Sequence, residues 1–120
     1  MNEDLKNRIW DKASIVKGVD PNFIRKDCCG AWIIKSEFGN VNSKFGWEID
    51  HVYPQSKGGD DQILNLRPMQ WENNRAKGDD FPVYNIAVCA EGNENVNHEK
   101  QFKINASLLE KLGDLYKLDI

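Results

Sequence analysis

The sequence predicts an α+β domain, and three observations carry that reading. Apolar residues recur at helical spacing near both ends, at Leu5, Ile9 and Trp10 and again at Leu108, Leu109, Leu112, Leu115 and Tyr116. In the middle, Trp47, Ile49 and His51 alternate with Glu48, Asp50 and Val52, the period of two that a strand imposes. Residues 70–77 then read as a short helix stopped at Gly78, where a glycine commonly ends a helix.

Taken in order, residues 3–13 form the first predicted helix. Pro21 directly after Asp20 suits a helix start, so residues 20–25 are expected to make a helical turn or two, closed by Cys28 to Gly30. Ala31 to Ile34 is a short apolar run that suits a strand. Gly39-Asn40 and Asn42-Ser43 carry turn chemistry. A second strand covers residues 45–53 and is halted by Pro54. The loop QSKGGDDQ (55–62) follows, Ile63 to Leu66 returns the chain, and Arg67-Pro68-Met69 leads into the helix at 70–77. Residues 81–90 are rich in aromatic and β-branched side chains and read as a strand. Residues 92–97 read as a polar loop. Residues 106–118 form an amphipathic helix whose leucine face belongs in the core.

With 120 residues, 40% of them hydrophobic and 29% charged, the chain suits one domain, 1–120, with a single core's worth of apolar material. No apolar run approaches the ~20 residues that span a bilayer. The opening MNEDLKNRIWDK lacks the apolar stretch of a secretory signal, so the expected compartment is the cytoplasm, with no membrane partner. Cys28, Cys29 and Cys89 include no CxxC pair. That argues for reduced thiols and excludes a four-cysteine structural zinc site. Net charge is −3, without the basic surplus usual in nucleic-acid binders. Its distribution is uneven: residues 1–44 hold eight Lys/Arg against six Asp/Glu, residues 45–78 four against five, and residues 79–120 four against eight. A phosphate-facing surface is therefore expected to draw on the first third and on the basic residues of the middle.

The chemistry concentrates in residues 46–79, GWEIDHVYPQSKGGDDQILNLRPMQWENNRAKGD. Hydrolysis of a phosphodiester needs a base for water, a cation for the developing charge, and groups that hold both in place. Histidine titrates near neutral pH, so His51 is the candidate base. Asp50 and the side-chain oxygen of Asn74 are hard oxygen donors that suit Mg2+ or Mn2+ and leave room for water and substrate. Asn73 competes with Asn74 for that part; the steps of three from Trp71 through Asn74 to Lys77 favour Asn74. Adjacent strand residues point to opposite faces, so Asp50 and His51 can share a site only where the strand ends or bends, and Tyr53-Pro54 offers such a place. Asn65 is expected to pin the loop between the strands through side-chain to backbone hydrogen bonds.

This stretch resembles the HNH endonuclease motif, in its variant with Asn at the third position: His51 in the Asp-His pair, Asn65 in ILNLRP, and Asn74 in the NNRAKGD ending. The resemblance covers about 34 of the 120 residues. It implies a ββα-metal (His-Me finger) core with flanking helices, binding one divalent metal ion. It further implies His51 as general base, Asp50 and Asn74 as metal ligands, Asn65 as the residue that orders the loop, and Lys77 against the scissile phosphate. The implied substrate is DNA, duplex first, cut to 3′-hydroxyl and 5′-phosphate ends. Many relatives carry two CxxC pairs on a structural zinc. Without them, packing by Trp47, Ile49, Leu64, Leu66 and Trp71 is expected to hold the hairpin. Lys44, Lys57, Arg67 and Arg75, with Lys77, are the expected nucleic-acid contacts at the site mouth. The chain is expected to act as a monomer or weak homodimer. The second reading is a non-catalytic nucleic-acid- or protein-binding module on the same scaffold, motivated by the acidic balance.

Overall fold

The computed structural model describes residues 2–119. The chain runs α1 (Glu3–Trp10), β1 (Ile24–Lys26), β2 (Trp32–Ile34), β3 (Trp47–His51), β4 (Leu66–Gln70), α2 (Trp71–Lys77), β5 (Val83–Glu91), β6 (Glu94–Lys103) and α3 (Ala106–Tyr116). The strands pair antiparallel in three separate ribbons, β1 with β2, β3 with β4, and β5 with β6, which is an α+β fold. No helix among the described residues is long and apolar enough to cross a membrane.

The β3–β4 ribbon is the centre of the molecule because both its faces are covered. Alternation along the strands sends Trp47 and Leu66 to one side, where they pack with Ile9, Trp10, Ala13 and Ile33 of the N-terminal third. Val52 and Met69 go to the other side and meet Tyr84, Ile86, Ile104 and Leu112. Leu108, Leu109 and Tyr116 join that second cluster, so the leucine face of α3 is core. Ile49 packs against the first cluster and Leu64 against the second. Trp71 instead donates its indole N–H to Ser43 O at 2.8 Å. All three cysteines among the described residues are free thiols.

Three expectations are corrected. Residues 20–25 make a single turn, with Phe23 N and Ile24 N both donating to Asp20 O, and no second one: the chain passes straight into β1, whose register with β2 pairs Ile24 with Ile34. Residues 66–70 form β4 rather than a lead into the helix. Pro68 is tolerated there because a two-stranded ribbon leaves each strand an open edge that needs no N–H. Residues 94–97 belong to β6, not to a loop. The β5–β6 hairpin turns on Gly92 and Asn93, with Glu91 opposite Glu94.

A buried polar hub joins the ribbons. Asp27 accepts from the N–H groups of Cys29 and Ala31 on one oxygen, and from Gln70 N and Asn73 Nδ2 on the other. Burial pushes its carboxyl above the ordinary range, and these four donors pull it back. Asn73, fully buried on α2, plugs the irregularity in β5: its Oδ1 accepts from Ala87 N and Val88 N, both at 2.8 Å, and its Nδ2 donates to Val88 O at 2.9 Å. Gln70 caps α2 by accepting from Glu72 N and Asn73 N. Replacing Asn73 by Ala strands two buried N–H groups and a carbonyl, each worth about 1–3 kcal/mol when left unpaired. Urea unfolding of Asn73→Ala is expected to show a loss of about 3 kcal/mol or more; a loss under about 1 kcal/mol would contradict the hub.

Candidate active site

The end of β3 is where the ribbon, α2 and the 55–62 loop meet. Opposite Asp50 in the ladder is Arg67, and opposite His51 is Leu66. Regular pairing stops there, and the chain beyond it is taken over by a side chain. Asn65, fully buried, accepts from Tyr53 N at 2.7 Å and donates to Tyr53 O and Asp60 O, while its own carbonyl accepts from Val52 N. The loop it ties has no room to spare: a Cβ on Gly59 would collide with the Tyr53 carbonyl. Tyr116 of α3 closes the other side, stacking with Tyr53 and donating its hydroxyl to Asp60 at 2.6 Å.

At this strand end an open cleft of about 380 Å³ is lined by Asp50, His51, Gln55, Asn74, Arg75 and Asp79, among others. His51 Nε2 lies 2.7 Å from Asp61 Oδ1. An ionised carboxylate only accepts, so Nε2 is the donor, and in the neutral imidazole Nδ1 is then the ring's acceptor. Asn74 donates Nδ2 to Glu48 Oε1 at 3.2 Å, and its Oδ1 has no hydrogen-bond partner among the described residues. Glu48 is further held by Arg75.

Asp50 is the most constrained group. It is 3% exposed, with Oδ2 accepting from Arg67 Nε at 2.8 Å and Oδ1 lying 3.2 Å from Lys77 Nζ. Lys77, itself 1% exposed, also donates to the His51 carbonyl at 3.3 Å. One carboxylate thus locks β3, β4 and α2 together.

These contacts correct two expectations. Lys77 is not at hand for a phosphate: it lies four residues from Asn73, on the inward face of α2, and its ammonium is spent on Asp50 and His51. Arg67 does not stand at the mouth of this cleft either: it is 9% exposed, its Nε is bonded to Asp50, and the residue lines a different pocket. Of the remaining basic residues, Arg75 lines the cleft, Lys57 is exposed on the 55–57 turn, and Lys44 pairs with Glu72 at 3.2 Å. Asn73 is committed to the hub, which leaves Asn74 as the amide at the cleft. The sequence reading missed three acidic residues here. Glu48 was signalled by its two-residue step from Asp50 on one strand face. Asp61 and Asp79 carried no such signal, because loop and helix-end geometry brings them in.

Among the described residues no three His, Cys, Asp or Glu side chains converge as a metal cage. A divalent ion would instead be held by Asp50 and Asn74 Oδ1, with water and substrate completing an oxygen shell. The donor set fits: each Asp50 oxygen has one cation partner and retains a second lone pair, and hard oxygen donors are what Mg2+ and Mn2+ take.

Residues 37–83 match a family model described as HNH endonuclease. This segment is an HNH endonuclease family domain. It spans β3, the stapled loop, β4 and α2, so the cleft is formed by the HNH domain itself, in its ββα core. Neither a curated protein nor a solved structure matches the chain.

Removing one partner of a buried charge pair costs about 3–5 kcal/mol, because the other charge stays behind. Lys77→Ala is expected to destabilise the HNH domain by about that amount in urea unfolding. Lys77→Ala, Asp50→Ala and the double variant are expected to give a coupling of about 1 kcal/mol or more. Additive losses would mean the pair does not hold the site.

Proposed function

We propose that the chain is a metal-dependent endonuclease that hydrolyses phosphodiester bonds in DNA, with His51 as general base. The observation that carries this is the meeting of an imidazole with a free Nδ1, a buried carboxylate and an unpartnered amide oxygen in one open cleft of an HNH domain.

Asp50 and Asn74 would hold a divalent cation, Mg2+ or Mn2+, which would supply neutralisation of the charge that builds on the phosphate. The protein's own groups do the rest. His51 Nδ1 takes a proton from the water that attacks phosphorus, the new P–O bond forms as the bond to the leaving sugar oxygen breaks, the leaving oxygen takes a proton from solvent water, and the His51 imidazolium returns its proton to solvent. Asp61 accepts the Nε2–H throughout, which holds the ring in the productive tautomer and steadies the imidazolium that forms. Asp61 is a positioning residue: it acts through its hydrogen bond to His51. Arg75 and Lys57, both solvent-exposed, supply positive charge to a nearby strand, while Arg67 and Lys77 serve from beneath by fixing Asp50.

Purified protein is expected to nick supercoiled plasmid with Mg2+ or Mn2+ and to stop in EDTA. His51→Ala is expected to lower the rate by about 10²–10⁴-fold. Asn74→Ala is expected to keep the fold and to raise the metal concentration needed for half-maximal nicking. Asp61→Asn is expected to give a smaller loss with an altered pH profile, because a neutral amide no longer stabilises the imidazolium. Equal nicking by wild type and His51→Ala would overturn the proposal. DNA binding by wild type with no metal-dependent cleavage would favour a repurposed binding module instead.

A further inference from the structure

A second pocket, of about 360 Å³, opens beside the HNH domain between the β4 strand, the segment after α1 and the first turn of α3. Its polar lining comes from Lys12, Cys28, Arg67, Asn105, Ser107 and Lys111, together with an apolar floor, and none of its lining residues is acidic. That absence is notable in a chain with 19 Asp/Glu against 16 Lys/Arg.

Three features point to an anion. The first is Arg67. Beyond the Nε bond to Asp50, its guanidinium makes no hydrogen bond among the described residues; it lies over the Tyr84 ring, 5.3 Å from the centroid, and Nη2 is buried without a hydrogen-bond partner. A planar fork with its outer nitrogens unused is the group that recognises phosphate oxygens best. The second is the start of α3, an eleven-residue helix. Asn105 caps Leu108 N, and Leu109 N bonds Asn105 O, so the N–H groups of Ala106 and Ser107 remain without protein partners at the positive end of the helix dipole. The third is charge. Lys111 forms no ion pair among the described residues and stands one turn along from Ser107, while Lys12 brings its ammonium to the carbonyls of Ile63 and Leu66 at the rim.

We infer that this pocket binds a phosphate group, and that its source is a backbone phosphodiester of the nucleic acid other than the one being cut. The assignment to a strand rests on the nuclease reading above; the anion chemistry of the pocket does not. The link between the two sites is Arg67, whose Nε fixes Asp50 while the residue also lines the second pocket. A strand held there and at the cleft would run along the β4 side of the domain. Its recruitment would not depend on the net charge of −3, since the pocket concentrates positive charge locally.

The test measures binding without cleavage. A short oligodeoxynucleotide duplex is titrated in EDTA into wild type and into Lys111→Ala, an exposed substitution that leaves the core alone, across a series of salt concentrations. The amide signals of Ala106 and Ser107 are followed by NMR with the same duplex and, separately, with pyrophosphate. The expected result is several-fold weaker duplex binding by Lys111→Ala, a log–log salt slope shallower by about 1, and movement of both amides with either probe. Unchanged affinity and slope in Lys111→Ala, with still amides, would overturn the site. Movement with pyrophosphate but not with the duplex would overturn the strand assignment and leave a free-phosphate pocket. If wild type fails to nick plasmid, the nuclease reading falls alone, and the pyrophosphate titration still decides the pocket.

Discussion

Taking a carboxylate out of water costs several kcal/mol unless positive charge goes with it, and Asp50 goes in with two cations. Arg67 approaches from the partner strand and Lys77 from the helix, so three elements are tied at a single side chain. Everything else about the cleft follows from that tie. It sets how α2 lies on the ribbon, and so where Asn74 projects. Through the bond from Lys77 to the His51 carbonyl it also holds the residue that ends the strand. The cost of burying the ions is accepted where it places chemistry, because apolar packing of similar volume would stabilise the fold as well without aligning anything.

Neighbouring residues on a strand face opposite ways, yet Asp50 and His51 line one cleft. The structure resolves this by ending the ladder at His51. Past that point Asn65 replaces a strand partner, supplying in one side chain the acceptor and donor that the backbone of Tyr53 needs. The loop thus bends back toward the ribbon, carrying Asp61 to His51 and Asp60 to Tyr116. A rigid two-faced ribbon and a stapled loop do the work that structural zinc does in other small domains: they hold the side chains of the cleft still without a large core.

What could be read from the sequence follows from what kind of physics each residue obeys. The end helices were legible because one face of each is buried and the residue period records it, and β3 because its side chains alternate in chemistry along Trp47, Glu48, Ile49, Asp50 and His51 although both its faces are covered. β6 was not: along ENVNHEKQFK most side chains are exposed, and the strand exists through its ladder with β5 rather than through burial. β4 was hidden by Pro68, which reads as a breaker until the open edge of a two-stranded ribbon is known. At the site, Asp50, His51 and Asn74 stood out by chemistry and spacing, and the three line one cleft. Lys77 and Arg67 were misplaced because charge suggests surface, and only the tertiary arrangement shows that they are counter-ions to Asp50. Asp61 lies in a glycine-rich loop where no periodicity operates, so its approach to His51 had no trace in the sequence. The acidic total was likewise a poor guide, since it says nothing of where the carboxylates lie.

The account makes the active site a shared achievement of buried and open groups: counter-ions below, an imidazole with its tautomer set at one side, an amide oxygen left free at the other. Its central claim is that Asp50 and Asn74 together hold one divalent ion at this cleft. Electron paramagnetic resonance of free Mn2+, titrated into His51→Ala protein carrying an intact DNA duplex, measures that claim without interference from cleavage. The account predicts one ion bound per chain, with affinity sharply reduced when Asn74→Ala is added to a domain that still unfolds cooperatively at the same urea concentration. Mn2+ bound equally well without the Asn74 amide, or not bound at all, would contradict it.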